Sequence, residues 1–253
     1  MSATPVSPTA LRAPVTATAK TRKRRPFLLD LYSTAVGKKY AMAISGIAMM
    51  GFVLFHMVGN LKMYQGEEAL NNYAAFLKEL LYPLAPKGSV LWILRALLFG
   101  MLVLHLHSAW SLTRLNRRAR AVRYQGPRDY QVANFASRTM RWTGVIVFMY
   151  LVWHLLDLTF GVVNGAEGVF TREEVYDNVV RSFDRPLVSG FYIVANILLG
   201  IHLFHGVWSI FQSLGWNNPR FNSWRRGLAA GFAAVVVVGN VSFPVAVLAG
   251  IVG

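Results

Sequence analysis

Five long apolar stretches dominate this sequence and restrict it to one environment. They lie near 40–61, 89–112, 140–162, 187–213 and 228–251, and each is about as long as the ~20 residues that cross a bilayer. Only 15% of the 253 residues are charged, against about 25% in a soluble domain. A soluble core made of five such stretches would leave too little polar surface to cover it. The fold class is therefore an all-α integral membrane protein with five transmembrane helices, residues 33–253 forming the membrane domain.

The charges between the stretches give an orientation. Of the 26 Lys and Arg, nineteen lie in 1–39, 113–141 and 214–227, and six lie in the other two connections. The basic side is normally cytoplasmic, so the N-terminus is expected inside and the C-terminus outside. Eight of the eleven acidic residues fall in the two outer connections. The basic patches are better explained by orientation and by docking of a cytoplasmic partner than by nucleic acid.

The tail, 1–32, reads as a disordered basic cytoplasmic segment, although its Arg-rich, acid-poor start also resembles a transit peptide. The outer connection 65–87 spaces Leu70, Tyr73, Ala74, Leu77, Leu80 and Leu81 as a helix would. This suits an amphipathic helix on the membrane surface or a packed external loop. A second short helix is expected in TREEVYDNVVRSF, ended by Pro186.

All six histidines (His56, His105, His107, His154, His202 and His205) lie inside four of the five stretches. Ionisable residues there are costly and mark functional positions. At 1.5 Å per residue, His56 sits roughly 25 Å from Lys39 and His154 roughly 20 Å from Arg141. His105 lies only roughly 14 Å from Arg114, and His202 at most roughly 20 Å from the inner turn at Gly215. The first and third stretches thus carry an outer His, and the second and fourth an inner one. Two pairs at two levels suit two six-coordinate haems in a four-helix bundle core.

His105 is preferred over His107, and His202 over His205, because Ala109 and Gly206 follow them by one turn and leave room for a ring. His107 and His205 remain alternative ligands. A weak repeat links the first and third stretches: Ser45-Gly46 precedes His56 as Thr143-Gly144 precedes His154. The two glycines lie about 15 Å inward of their own histidines, near the inner level. With no cysteine, this chain can hold neither an iron–sulfur cluster nor a c-type haem through thiols.

The stretches GKKYAMAISG and FHMVGNLKMYQG, HLHSAWSLTRLNRRAR, VWHLLDL and GIHLFHGVWSIFQSLGWNN resemble the five-helix, two-haem cytochrome b anchor of bacterial succinate dehydrogenase and fumarate reductase. The likeness covers roughly 33–250. It supports His105, eleven residues before Asn116 of the basic stretch, and His202 with Gly206; the extra His107 departs from the pattern.

The resemblance implies a subunit of succinate:quinone oxidoreductase in the bacterial inner membrane. It would carry two haem b, an inner one on His105 and His202 and an outer one on His56 and His154. Electrons would pass from the iron–sulfur subunit to menaquinone. FAD, the clusters and the succinate chemistry would belong to flavoprotein and iron–sulfur subunits on the cytoplasmic face, and a higher oligomer of the complex stays open. Asp157, Lys62 and Tyr64 are the quinone-site candidates near the outer level, since quinone reduction needs a proton donor beside an apolar cleft; a quinone site on the cytoplasmic side stays open as the alternative.

Two other classes compete. One is an anchor of a hydrogenase or formate dehydrogenase. The bc type is disfavoured, because no stretch has two histidines about fourteen residues apart. The other class is a haem-free transporter with intramembrane histidines, which would be colourless.

Overall fold

The computed structural model describes residues 26–119, 135–165, 170–216 and 218–253. The tail 1–25 and the basic connection 120–134 lie outside them. The described residues are helical, with no strand. Five helices are long and apolar enough to cross a membrane: α2 (Ala35–Asn60), α4 (Ser89–Arg118), α5 (Phe135–Leu158), α7 (Pro186–Ser213) and α8 (Asn222–Leu248). Three short helices join them: α1 (Phe27–Ser33), α3 (Glu67–Lys78) and α6 (Val175–Phe183).

Local chemistry sets the ends. The Thr34 hydroxyl accepts the Gly37 N–H at 2.9 Å and opens α2, satisfying a donor that has no partner within the helix. Pro186 occupies the first turn of α7, where its missing N–H costs nothing. Gly215, at φ +80°, turns the chain after α7, a conformation that glycine adopts without penalty.

Two expectations change in the tail and the outer connection. Residues 27–32, read as disordered, form α1. Its Tyr32 hydroxyl lies 2.5 Å from His107 Nδ1 and 3.2 Å from Ser108 Oγ, tying the helix to α4. The outer helix stops at Lys78 and does not reach Leu80 and Leu81, since Pro83 and Pro86 follow closely and disfavour continuation. α3 is packed on protein: Leu70 is buried in the outer core, and Asn71 Oδ1 accepts the Tyr176 N–H of α6 at 3.1 Å.

The last span starts earlier than 228. The charges at 220–226 suggest a loop by composition, yet Arg225 is 2% exposed and lies inside α8. Its guanidinium donates to the carbonyls of Trp216 (2.8 Å) and Asn218 (3.0 Å) and to Asn222 Oδ1. A buried charge is tolerated when it is hydrogen-bonded, and these contacts of its two terminal nitrogens staple the α7–α8 turn.

The spans pack chiefly as α7 on α8, α2 on α4 and α5 on α7. One buried cluster (Leu199, Leu203, Ala233, Val236) joins the middles of α7 and α8. Another caps the outer end, gathering Met57, Met63, Leu70, Phe183, Tyr192 and Phe243 from six elements. Glycine allows the closest approach. A methyl group at Gly200 would stand inside van der Waals contact of Val237 Cγ2 on α8, and Val is stiff at χ1. Gly200→Ala is therefore expected to cost about 1–3 kcal/mol by overpacking. A melting curve of the solubilised complex indistinguishable from wild type would refute this.

Candidate functional site

α2, α4, α5 and α7 form two similar helix pairs, α2 with α4 and α5 with α7. In α2 the order is Met42, Ser45, Gly46, His56; in α5 it is Met140, Thr143, Gly144, His154, at identical spacing. Ser45 is 0% exposed and Thr143 3%. The Ser45 hydroxyl faces the carbonyls of Ala41 (2.7 Å) and Met42 (3.2 Å). Thr143 faces those of Thr139 (3.3 Å) and Met140 (3.0 Å).

Each hydroxyl also meets a histidine of the paired helix. Ser45 Oγ lies 3.2 Å from His105 Nδ1, and Thr143 Oγ1 lies 3.4 Å from His202 Nδ1. The glycines sit beside the same rings: a Cβ on Gly46 would be 3.6 Å from His105 Cε1, and one on Gly144 would be 3.4 Å from His202 Cε1. His105 and His202 thus occupy equivalent places, each beside the Ser/Thr-Gly pair of its partner helix. Ten residues outward on α2 and α5, about 15 Å along each helix, the rings of His56 and His154 approach to 5.9 Å between centroids at 84°. The structure therefore gathers four of the six histidines at two levels.

The outer pair is set among aromatics. Phe52 stacks on His56 at 5.3 Å, and Asn60 Nδ2 lies 3.4 Å from His56 Nε2. Tyr150 and Tyr192 flank His154 at 5.9 and 6.1 Å. His154 Nδ1 is buried without a hydrogen-bond partner.

The remaining candidates fall elsewhere. His107 is exposed, held by Tyr32 and lying 6.1 Å from the Trp110 ring. His205 is half-buried, one turn beyond His202. Asp157 is 0% exposed. Its carboxylate accepts from Ser182 Oγ, from Tyr192 Oη at 2.9 Å, from Arg185 at 3.0 Å and from Asn164 Nδ2 at 3.3 Å. These donors come from the α5–α6 connection, α6 and α7 with its preceding residue, so Asp157 is a hub joining α5 to the outer cap. Lys62 Nζ donates to Gln65 Oε1 at 3.1 Å, and Tyr64 donates to Ser242 Oγ of α8 at 2.7 Å. The structure does not bring Asp157 together with these two.

The donor set fits a haem. Among the described residues no group of three or more His, Cys, Asp or Glu converges as a protein-only metal site would require. Each level instead offers two imidazoles from different helices, and a porphyrin needs only two axial ligands because it brings its own equatorial nitrogens. A centroid separation of 5.9 Å is near what two metal–nitrogen bonds of roughly 2 Å on opposite sides of one ion demand. His56 is exposed, and His105, His154 and His202 are half-buried.

Sequence reading missed the roles of Ser45 and Thr143. The signal was present in the repeated Ser/Thr-Gly dipeptide, but it points across to the next span and not to the histidine of its own.

Comparison with known proteins agrees with this architecture. No solved structure matches the chain. The succinate dehydrogenase cytochrome b558 subunit of Bacillus subtilis (strain 168) is 25% identical over 176 residues, covering 68% of this chain and 77% of the relative. The family model described as succinate dehydrogenase/fumarate reductase transmembrane subunit matches residues 113–241. That match runs from the end of α4 to near the end of α8 and includes His154 and His202. Five membrane-crossing helices, intramembrane histidines paired across them and a match over half the chain lead to one conclusion: this protein belongs to the succinate dehydrogenase/fumarate reductase transmembrane subunit family.

Proposed function

We propose that the chain is the dihaem cytochrome b anchor of a succinate:quinone oxidoreductase, joining an iron–sulfur subunit on the cytoplasmic face to menaquinone near the outer face. His105 and His202 would hold an inner haem b, and His56 and His154 an outer one; bound there, the two haems would supply one-electron carriers. The single observation that carries this reading is the pairing of imidazoles from different helices at two levels, with a mutual 5.9 Å approach at the outer one.

The chain's own part is to hold and shield. Each histidine presents a ring nitrogen from a helix whose backbone is already satisfied, so ligation competes with no secondary structure. The apolar faces of α2, α4, α5 and α7 exclude water and keep the dielectric low, which tunes a redox site through its surroundings. Lys62 and Tyr64 sit on the turn that ends α2 and are the quinone-site residues this reading favours, since Asp157 is enclosed. Flavin, clusters and succinate chemistry would reside on flavoprotein and iron–sulfur partners. The excess of Lys and Arg in the inner connections supports a cytoplasmic N-terminus, and the membrane in this reading is the bacterial inner one.

The test is isolation of the complex from membranes with its partner chains. About two haem b per copy of this chain, reduced on adding succinate, are expected. A colourless complex would favour a transporter-like role for the histidines and overturn the proposal. Haem reduced by hydrogen or formate, and not by succinate, would assign the chain to another respiratory enzyme.

A further inference from the structure

We infer that Ser45 and Thr143 are positioning residues that hold His105 and His202 in the tautomer protonated at Nδ1, leaving the lone pair on Nε2 for iron. This rests on the haem-ligand reading above and adds to it which ring nitrogen binds and what selects it.

The argument is one of proton accounting. A neutral imidazole carries one N–H, and whichever nitrogen is hydrogen-bonded as a donor leaves the other free to bind metal. A hydroxyl can donate once. The Ser45 hydrogen is taken up by its own helix, where the carbonyls of Ala41 and Met42 lie at 2.7 and 3.2 Å. Toward His105, 3.2 Å away, Ser45 Oγ can then only accept, and the hydrogen between them belongs to Nδ1. Thr143 repeats the arrangement, with carbonyls at 3.3 and 3.0 Å and His202 Nδ1 at 3.4 Å.

Gly46 and Gly144 lie beside the same rings, which a Cβ would meet at 3.6 Å and 3.4 Å. Met-x-x-Ser/Thr-Gly is thus a cradle for the histidine of the neighbouring span, used twice.

The outer histidines lack this device. His154 Nδ1 has no hydrogen-bond partner among the described residues, and Asn60 Nδ2 approaches His56 at Nε2, 3.4 Å away, not at Nδ1. The two levels therefore differ in ligand basicity. A histidine that donates its second N–H is a more basic ligand, and losing such a partner typically costs 10–100-fold in metal affinity.

The experiment uses the whole membrane complex carrying Ser45→Ala, Thr143→Val or both, with Ser45→Thr and Thr143→Ser as conservative controls. Haem content, potentiometric titration, low-temperature EPR of the oxidised haems and haem transfer to apomyoglobin are the readouts. In the Ala and Val variants one haem should move to a more positive potential with altered g-values, and leave for apomyoglobin at least about 10-fold faster. The other haem should be unchanged, and the conservative controls should behave as wild type.

Unchanged spectra, potentials and transfer rates in the double variant would overturn the inference. Equal shifts at both haems would also overturn it, since that is the mark of a general loss of packing. If His105→Ala removes a haem while Ser45→Ala changes nothing, only the tautomer inference fails. If the wild-type complex has no haem, the ligand reading fails with it.

Discussion

If His105 and His202 together hold one haem, as proposed, His105→Ala and His202→Ala are each expected to remove that same haem, whereas His107→Ala and His205→Ala are expected to leave the haem content as in wild type. Haem content of the purified complex and its EPR signals check this. The expectation follows from which way each ring faces. His105 lies against Ser45 and Gly46 of α2, and His202 against Thr143 and Gly144 of α5. His107 is two residues on, about 200° around the helix, and is exposed beside Tyr32 of α1. Each of these two histidines would supply one of the two protein ligands of a haem, so its truncation would be expected to lose that haem outright and not to weaken it by degrees. Two haems retained in His202→Ala would show that another residue of α7 is the ligand, with His205 the first to examine.

Asp157→Ala should be among the most destabilising substitutions outside the histidines. The carboxylate is 0% exposed and accepts from Ser182, Tyr192, Arg185 and Asn164. Removing it leaves hydroxyl donors without their acceptor in a buried setting and a guanidinium without its counter-charge. Breaking such a pair costs about 3–5 kcal/mol when both members are buried. The Arg185 side chain is 34% exposed, so water relieves part of the penalty, and about 3 kcal/mol is expected. For a chain of this size that corresponds to a fall in Tm on the order of 10 °C, measurable by calorimetry of the detergent-solubilised complex. A haem held by His154, as proposed, should be lost first on heating, because Asp157 lies one turn from His154 and its partner Tyr192 flanks the His154 ring. A Tm within about 2 °C of wild type would show that the hub contributes little.

Spacing alone makes Asp157 a quinone-site candidate, and it does not show the hub. An acid one turn beyond an outer histidine looks well placed for proton transfer when only spacing is visible. Its surroundings come from residues 7 to 35 positions away, and no periodicity in α5 announces that four donors will converge on it. Arg225 is the converse case. Its charge marks it as loop in composition, but carbonyls at a helix turn absorb it and let α8 begin earlier.

The spans, their number and the depth of the histidines were readable directly, because lipid imposes a length and a polarity on each crossing segment that no partner can change. The same constraint made α1 and the packing of α3 hard to read. Short segments at the interface have no such requirement, and their helicity depends on what they touch, Tyr32 on His107 and Asn71 on Tyr176.

From the residues alone came five crossings, two levels of imidazole and the repeated Ser/Thr-Gly. Only the tertiary structure decided that the dipeptide serves the neighbouring span, that His107 turns outward and that Asp157 is enclosed. The difference is physical: burial in lipid acts on each segment separately, whereas a hydrogen bond between helices exists only once two segments, distant in the chain, have met.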